Sequence, residues 1–261
     1  MKSTVRRQIK QAIFAALPFL ALLGLWIAAA LFRWMPNWFL PSPLMVLESF
    51  RDMVRDGVGL KILADSALNL IPPYLLAIVV SVIFGILIGV NATARSIFFP
   101  FITTLYPIPT LAWLPFIIII FGFTREAVWV LLFSSTFLKM IYNMIIGVRS
   151  VNPIWILAAK NLGLSRLQII FEVVIPGAFP NIITGMRIGF ASVWRSVIAA
   201  EMLVSGAGGL GRFMWTAQWT FDFGKVFVGI ILIAVIGLFI ELAVFKKLEK
   251  LTLEKWGTVT V

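Results

Sequence analysis

The sequence predicts an all-α, polytopic membrane protein of about six transmembrane helices. Composition is the first reason. Hydrophobic residues make up 61% of the chain and charged residues 13%, against roughly 45–50% and about 25% in soluble domains. Segment length is the second. Six apolar stretches, residues 13–32, 69–90, 97–123, 127–148, 178–204 and 226–245, approach the ~20 residues a helix needs to cross a bilayer. The distribution of charge is the third. With both termini on one side, segments 1–12, 91–96, 149–177 and 246–261 carry Lys2, Arg6, Arg7, Lys10, Arg95, Arg149, Lys160, Arg166, Lys246, Lys247, Lys250 and Lys255. The opposite segments carry only Arg33, Arg51, Arg55, Lys61, Arg125, Arg212 and Lys225. Cations collect on the cytoplasmic side, so both termini are expected there, in a multi-pass protein of a cell membrane.

The same numbers exclude whole classes of function. The chain has no Cys and no His, which removes disulfides, thiolate or imidazole metal sites and Ser-His-Asp catalysis. Only 11 acidic residues are present. The net charge of +11 reads as the cytoplasmic bias of a membrane protein. No basic stripe is interleaved with exposed aromatics, so nucleic acid is not an expected partner. The basic start resembles the n-region of a signal peptide. The apolar run behind it is long enough to span, and no A-x-A-like site follows, so it is expected to remain as the first anchor.

Taken in order, the first connecting segment, residues 33–68, lies outside. WMPNWFLPSP brings Trp34 and Trp38 to the level where indoles settle. After Pro43, LMVLESFRDMV places Leu44, Leu47, Met53 and Val54 roughly on one face. That predicts a short amphipathic helix on the outer surface or under a partner subunit. The third span holds Pro100, Pro107, Pro109 and Pro115. Proline frees backbone carbonyls, which in lipid must be satisfied by protein or a wet cavity. A broken helix lining a pathway, or a kinked packing helix, is expected. Gly85 with Gly89, and Gly185 with Gly189, permit close helix approach. Gly206, Gly208 and Gly211 spell G-x-G-x-x-G. Without a preceding strand in a βαβ unit this is no dinucleotide fingerprint, and a flexible outer turn is expected. No G-x-x-x-x-G-K-[ST] occurs, so the chain carries no phosphate cradle of that kind.

Residues 149–177 form the inner connection. Asn152 can cap a helix that starts at Pro153 and runs through WILAAKNL. Gly163 offers a left-handed C-cap. Ser165 can cap a second helix, RLQIIFEVV, expected to end before Pro176. Trp155, Ile156, Leu162, Leu167, Ile170 and Phe171 make this elbow apolar enough to want a partner.

This elbow resembles the coupling loop of binding-protein-dependent ABC importer permeases, whose pattern is E-A-A, three residues, G, nine residues, I-x-L-P. Ala158 and Ala159 match its alanines, Gly163 its glycine and Pro176 its proline, with Val173 and Ile175 as conservative matches. Leu157 stands where the family often has Glu, so no acidic contact is carried over. FLPSPLMVLES at 39–49, PIPTLAWLPFIIIIFG at 107–122, GVRSVNP at 147–153, and TGMRIGF and AAEML within 184–203 resemble the nitrate/sulfonate/taurine/bicarbonate branch. The resemblance implies a type I importer permease fold in a bacterial inner membrane. It implies a homodimer, or one half of a permease pair, whose elbows, through Ala158, Ala159, Lys160, Gly163, Arg166 and Pro176, dock on two cytoplasmic ATP-binding cassette ATPases. Those subunits use ATP and Mg; this chain is expected to bind no cofactor and to catalyse no reaction. A periplasmic or lipid-anchored binding protein delivers the solute, a small anion or alternatively a pyrimidine-type vitamin precursor.

Ionisable residues inside spans are costly and often functional. Arg187, ~10 Å into the fifth span at 1.5 Å per residue, can snorkel to the interface, and Lys139 is expected to do the same. Arg195 lies about 20 Å in and must face protein or water. It suits either an anion pathway or a structural carboxylate partner. Glu201 is too far around the helix to be that partner. Thr104, Tyr106 and Trp113 on the proline-rich span join Arg195 and Glu201 as expected pathway residues. An ion-coupled transporter would need buried carboxylates, for which Glu201 and Glu241 are the candidates. A membrane enzyme is disfavoured by the missing His and Cys.

Overall fold

The computed structural model describes residues 2–36 and 38–249. Met1, Asn37 and residues 250–261, with Lys250 and Lys255 of the expected tail, lie outside the described residues, as do the side chains of residues 2–13, 15 and 16. Among the described residues every regular element is helical. They group into two compact units: residues up to Leu60 with Phe213–Leu232, and Lys61–Arg212 with Ile233 onward.

In the first unit α1 runs Lys2–Leu31 and α2 runs Pro43–Arg55. Ser42 caps α2 by accepting from the Met45 amide, with Pro43 at the first helical position, where a missing N–H is harmless. The buried face of α2 is Val46 and Met53, packed with Val228, Trp26 and Phe227. Of the residues expected on one apolar face, Met53 packs inward beside Val46, while Leu44, Leu47 and Val54 stay on the exposed side. The Trp26 indole donates to the Pro41 carbonyl at 3.0 Å and stacks on Phe227.

The second unit is built on three long helices. α3 runs Val58–Val90, α6 Arg125–Arg149 and α9 Ile175–Leu203. α3 starts eleven residues before the predicted span, because Gly57, at φ +67°, turns the chain directly into helix. Its 33 residues reach about 50 Å, well beyond a hydrocarbon core of roughly 30 Å. α6 is the core helix. Half of its most apolar window is buried, against 11% for the helix beginning at Phe223. Without a hydrophobic drive between helices in lipid, close packing must hold them. Gly85 and Gly89 of α3 supply it: a Cβ on Gly89 would stand 2.7 Å from Val148 Cβ. A Cβ on Gly189 would meet Met140 Cγ at 2.6 Å. Both predicted glycine pairs are helix seams.

Between α3 and α6 the proline-rich span breaks. α4 (Ala92–Leu105) and the pair formed by a 3-10 turn at Thr110–Trp113 and α5 (Leu114–Phe121) are bent by 92°. The break sits at Tyr106–Pro109 because Pro107 and Pro109 both lack N–H and bias the residues before them away from helix. Pro100 stays inside α4 and Pro115 begins α5.

Four described helices are long and apolar enough to cross a membrane, five if the bent pair is one span. The apolar stretch described in α1, Leu17–Leu31, is shorter. α10 (Gly209–Trp219) and α11 (Phe223–Ile240) follow, α11 continuing through a π turn at Glu241–Phe245.

Candidate functional site

The elbow forms as its caps dictate. α7 is Pro153–Asn161, with the Asn152 side chain accepting from the Ile154 amide. It ends in a paired C-cap: the Leu164 amide donates to Ala159 O and the Gly163 amide to Lys160 O, at 3.1 and 3.0 Å. That 6→1 and 5→2 pattern needs a left-handed residue between them, and Gly163 has φ +81°. Ser165 and Gln168 then exchange bonds as a capping box opening α8, Arg166–Ile169. Two satisfied ends three residues apart make the bend stiff.

Two expectations change here. The second helix does not stop before Pro176. It passes through a π turn at Ile170–Val174 into α9, giving one helix from Arg166 to Leu203. The wider hydrogen-bond register of a π turn lets Pro176 enter without the helix breaking. The two alanines also part company. Ala158 is exposed, whereas Ala159 is buried against the spans. What the elbow presents outward is Ile154, Leu157, Leu162, Leu167 and Phe171, with Leu162 80% exposed. Lys160 and Arg166 are exposed beside them.

A polar seam runs between α6 and α9. Lys139 Nζ donates to Ser192 Oγ at 2.5 Å. Ser192 Oγ lies 2.9 Å from Ser135 Oγ, which lies 3.4 Å from Ser196 Oγ. With Lys139 donating, the Ser192 hydroxyl is free to donate onward. Lys139 therefore reaches across to α9 instead of snorkelling. Arg195 is exposed and close enough to Lys139 for like-charge repulsion. Among the described residues neither cation lies within ion-pair distance of a carboxylate. A cavity of about 20 Å³ opens where the broken span meets this seam, lined by Tyr106, Thr110, Trp113, Ser134, Ser135 and Lys139. That is room for about one water. Cations and hydroxyl donors without acids nearby favour an anion. Thr104 is not among the lining residues; its hydroxyl donates to Pro100 O.

Glu201 is placed elsewhere. It is fully buried and accepts from Asn69 Nδ2 at 2.8 Å, the Gly211 amide at 2.8 Å and Ser66 Oγ at 3.1 Å. Ser66 also accepts from the Leu210 amide. Arg125, paired with Asp65 at 2.7 Å, donates to Ala207 O. The glycine-rich turn is thus pinned on several sides rather than flexible. Gly208 and Gly209 have positive φ, and a side chain on Gly209 would collide with the Glu201 carboxylate. Arg187 does not snorkel alone: it pairs with Glu241 and, at 3.1 Å, with Glu249. Both carboxylates that an ion-coupled mechanism would use are already engaged. Ser135, Ser192, Ser196 and Asn69 join the site without having stood out in the sequence. Ser135 with Lys139, and Ser192 with Ser196, sit at i,i+4, a polar stripe on each of two apolar helices.

Comparison with known proteins decides the family. Residues 77–245 match the family described as the binding-protein-dependent transport system inner membrane component. The chain belongs to this family of ABC transporter permeases. It is 33% identical over 236 residues to the taurine transport system permease protein TauC of Escherichia coli K12, covering 88% of this chain and 86% of that one. It is 30% identical to the nitrate import permease protein NrtB of Leptolyngbya laminosa, covering 91% and 86%. The bicarbonate transport system permease protein CmpB of Synechococcus elongatus is 30% identical over 64% of this chain and 60% of its own. A solved structure titled as inward-facing conformations of the MetNI methionine ABC transporter superposes with a TM-score of 0.57 at 17% identity, covering 74% of this chain and 97% of that one. At that identity the likeness speaks for the fold alone, the type I importer fold. In this permease family the membrane component works with ATPase subunits and a solute-binding protein.

Proposed function

We propose that this permease imports a small oxyanion-bearing solute of the taurine, nitrate or bicarbonate type, delivered by a periplasmic or lipid-anchored binding protein. The elbow carries the reading. A rigidly capped helix–Gly–helix joint presents exposed apolar side chains beside Lys160 and Arg166, a surface that asks for a protein partner. That partner is a cytoplasmic ATP-binding cassette ATPase, one per permease in a homodimer with both termini in the cytoplasm. ATP and Mg act on the partner, and this chain supplies the path.

Lys139 and Arg195, with Ser135, Ser192 and Ser196, form the anion-favouring stretch of that path, gated by the broken span at Tyr106 and Trp113. Fixed positive charge and hydroxyl donors offset the loss of an anion's hydration. The relatives' names favour an anionic solute over a heterocyclic vitamin precursor.

The test is reconstitution of the permease in proteoliposomes with an ATPase subunit and a binding protein. Labelled taurine, nitrate and bicarbonate are supplied in turn. Uptake of one of them should require ATP and the binding protein. Uptake driven by an ion gradient without ATP would contradict the proposal.

A further inference from the structure

A cavity of about 770 Å³ lies on the inner side of the elbow, bounded by the turn from α3 into α4. Four cations line it, Arg95, Arg149, Lys160 and Arg166, and no lining residue is acidic. Arg95 spends one donor on Gly89 O at 3.1 Å, leaving the rest of its five N–H groups. Asn91 already satisfies the Thr93 and Ala94 amides, so an incoming anion meets side chains rather than a helix end. Part of the lining is apolar, through Val90, Val148, Val151, Ile156 and Ile170. The elbow's exposed outer residues, Leu157, Leu162, Leu167 and Phe171, are absent from this lining.

Position narrows the ligand. Val90 ends α3, Arg149 ends α6 and Arg166 begins the span through Leu203. Three crossing helices terminate at this cavity, which places it at the boundary between hydrocarbon and water. Basic pockets between spans at that level suit phosphate-bearing groups, and the apolar wall suits an attached chain.

We propose that this cavity binds a phosphate-bearing anion that seats between the α3–α4 turn and the elbow. The phosphate comes from the headgroup of an acidic membrane lipid or from a soluble phosphate. Bound there, it neutralises the lining cations and fastens the elbow to the spans that must move with it.

The experiment uses the full-length permease purified in detergent and read by native mass spectrometry. Phosphatidylglycerol, phosphatidylcholine and inorganic phosphate are supplied separately and in competition. The variant Arg95→Gln/Arg149→Gln should hold phosphatidylglycerol roughly thirtyfold more weakly than the wild type. Phosphatidylcholine should bind both alike, and Arg95→Lys/Arg149→Lys should restore retention. Phosphate that binds with the same arginine dependence and displaces the lipid assigns the soluble source, and the site stands. If the double glutamine variant does not fold, Arg149→Gln alone should show a smaller loss in the same direction. Equal retention by wild type and a folded glutamine variant, with no phosphate binding, would overturn the proposal. So would full displacement of the lipid when the ATPase subunit binds, which would make the cavity a protein docking surface.

Discussion

Glu201 shows how much one side chain can hold. Its carboxylate meets three donors, from Asn69, Ser66 and the Gly211 amide. A carboxylate accepts from all three; Gln turns an N–H₂ toward groups that are themselves donors. Glu201→Ala leaves buried donors unsatisfied, at about 1–3 kcal/mol each. Glu201→Ala should therefore lower the melting temperature in detergent sharply, and Glu201→Gln by less; unchanged melting in both would remove its anchoring role. Arg195 and Lys139 make the opposite case. Neither is tied to a carboxylate among the described residues, so stability should survive their loss. Arg195→Gln should melt like the wild type, and Lys139→Gln somewhat lower for want of its bond to Ser192, yet each should cut anion uptake about tenfold or more, as loss of a charge-assisted contact of ~1.5–3 kcal/mol implies. Unchanged uptake would dispose of their pathway role.

At the scale of elements, seams and caps decide the shape. Gly89 admits Val148 so closely that any Cβ forces α3 off α6. Gly89→Ala should cost about 1–3 kcal/mol by overpacking. Gly24→Ala, with nothing within 4 Å of the new Cβ, should cost nothing measurable in folded yield. Equal yields for the two would weaken the seam. Local signals of this kind were legible in the sequence. Asn152, Gly163 and Ser165 announced the elbow because each satisfies backbone groups within a few residues. Pro107 and Pro109 announced the break because each removes a backbone N–H and biases the residue before it away from helix. What stayed hidden depends on distant partners. Val46 faces inward because Val228 and Trp26 receive it. Lys139 turns to Ser192 across fifty-three residues. Pro176 passes within a helix because a π turn upstream shifts the register. Glu201's role depends on α3 starting early enough to carry Asp65 and Ser66, which the predicted boundary at residue 69 left in a loop.

For the whole molecule, the elements form a transmission. α7 is fastened to the spans by buried Ala159, and α8 continues without a break into α9. A push on the elbow is thus delivered to the helix that carries Ser192, Arg195 and Ser196 along the seam. The proline break beside Tyr106 and Trp113 faces that same seam and supplies the joint that can yield. The continuous helix and the broken span meet at one cavity with room for about one water. On the proposed function, alternating access would open this cavity by moving α9 against the broken span.

The central claim is that force enters through the elbow. Gly163→Asp tests it most directly, because no atom lies within 4 Å of the added Cβ. The fold should stand while the joint is strained by about 1–2 kcal/mol at its positive φ and gains a charge at its tip. In proteoliposomes with the ATPase and binding protein, ATP hydrolysis and solute uptake are measured together. The variant should remain in the membrane at wild-type levels and lose solute uptake, with whatever ATP hydrolysis persists no longer stimulated by the loaded binding protein. Wild-type uptake per ATP hydrolysed in that variant would contradict the account.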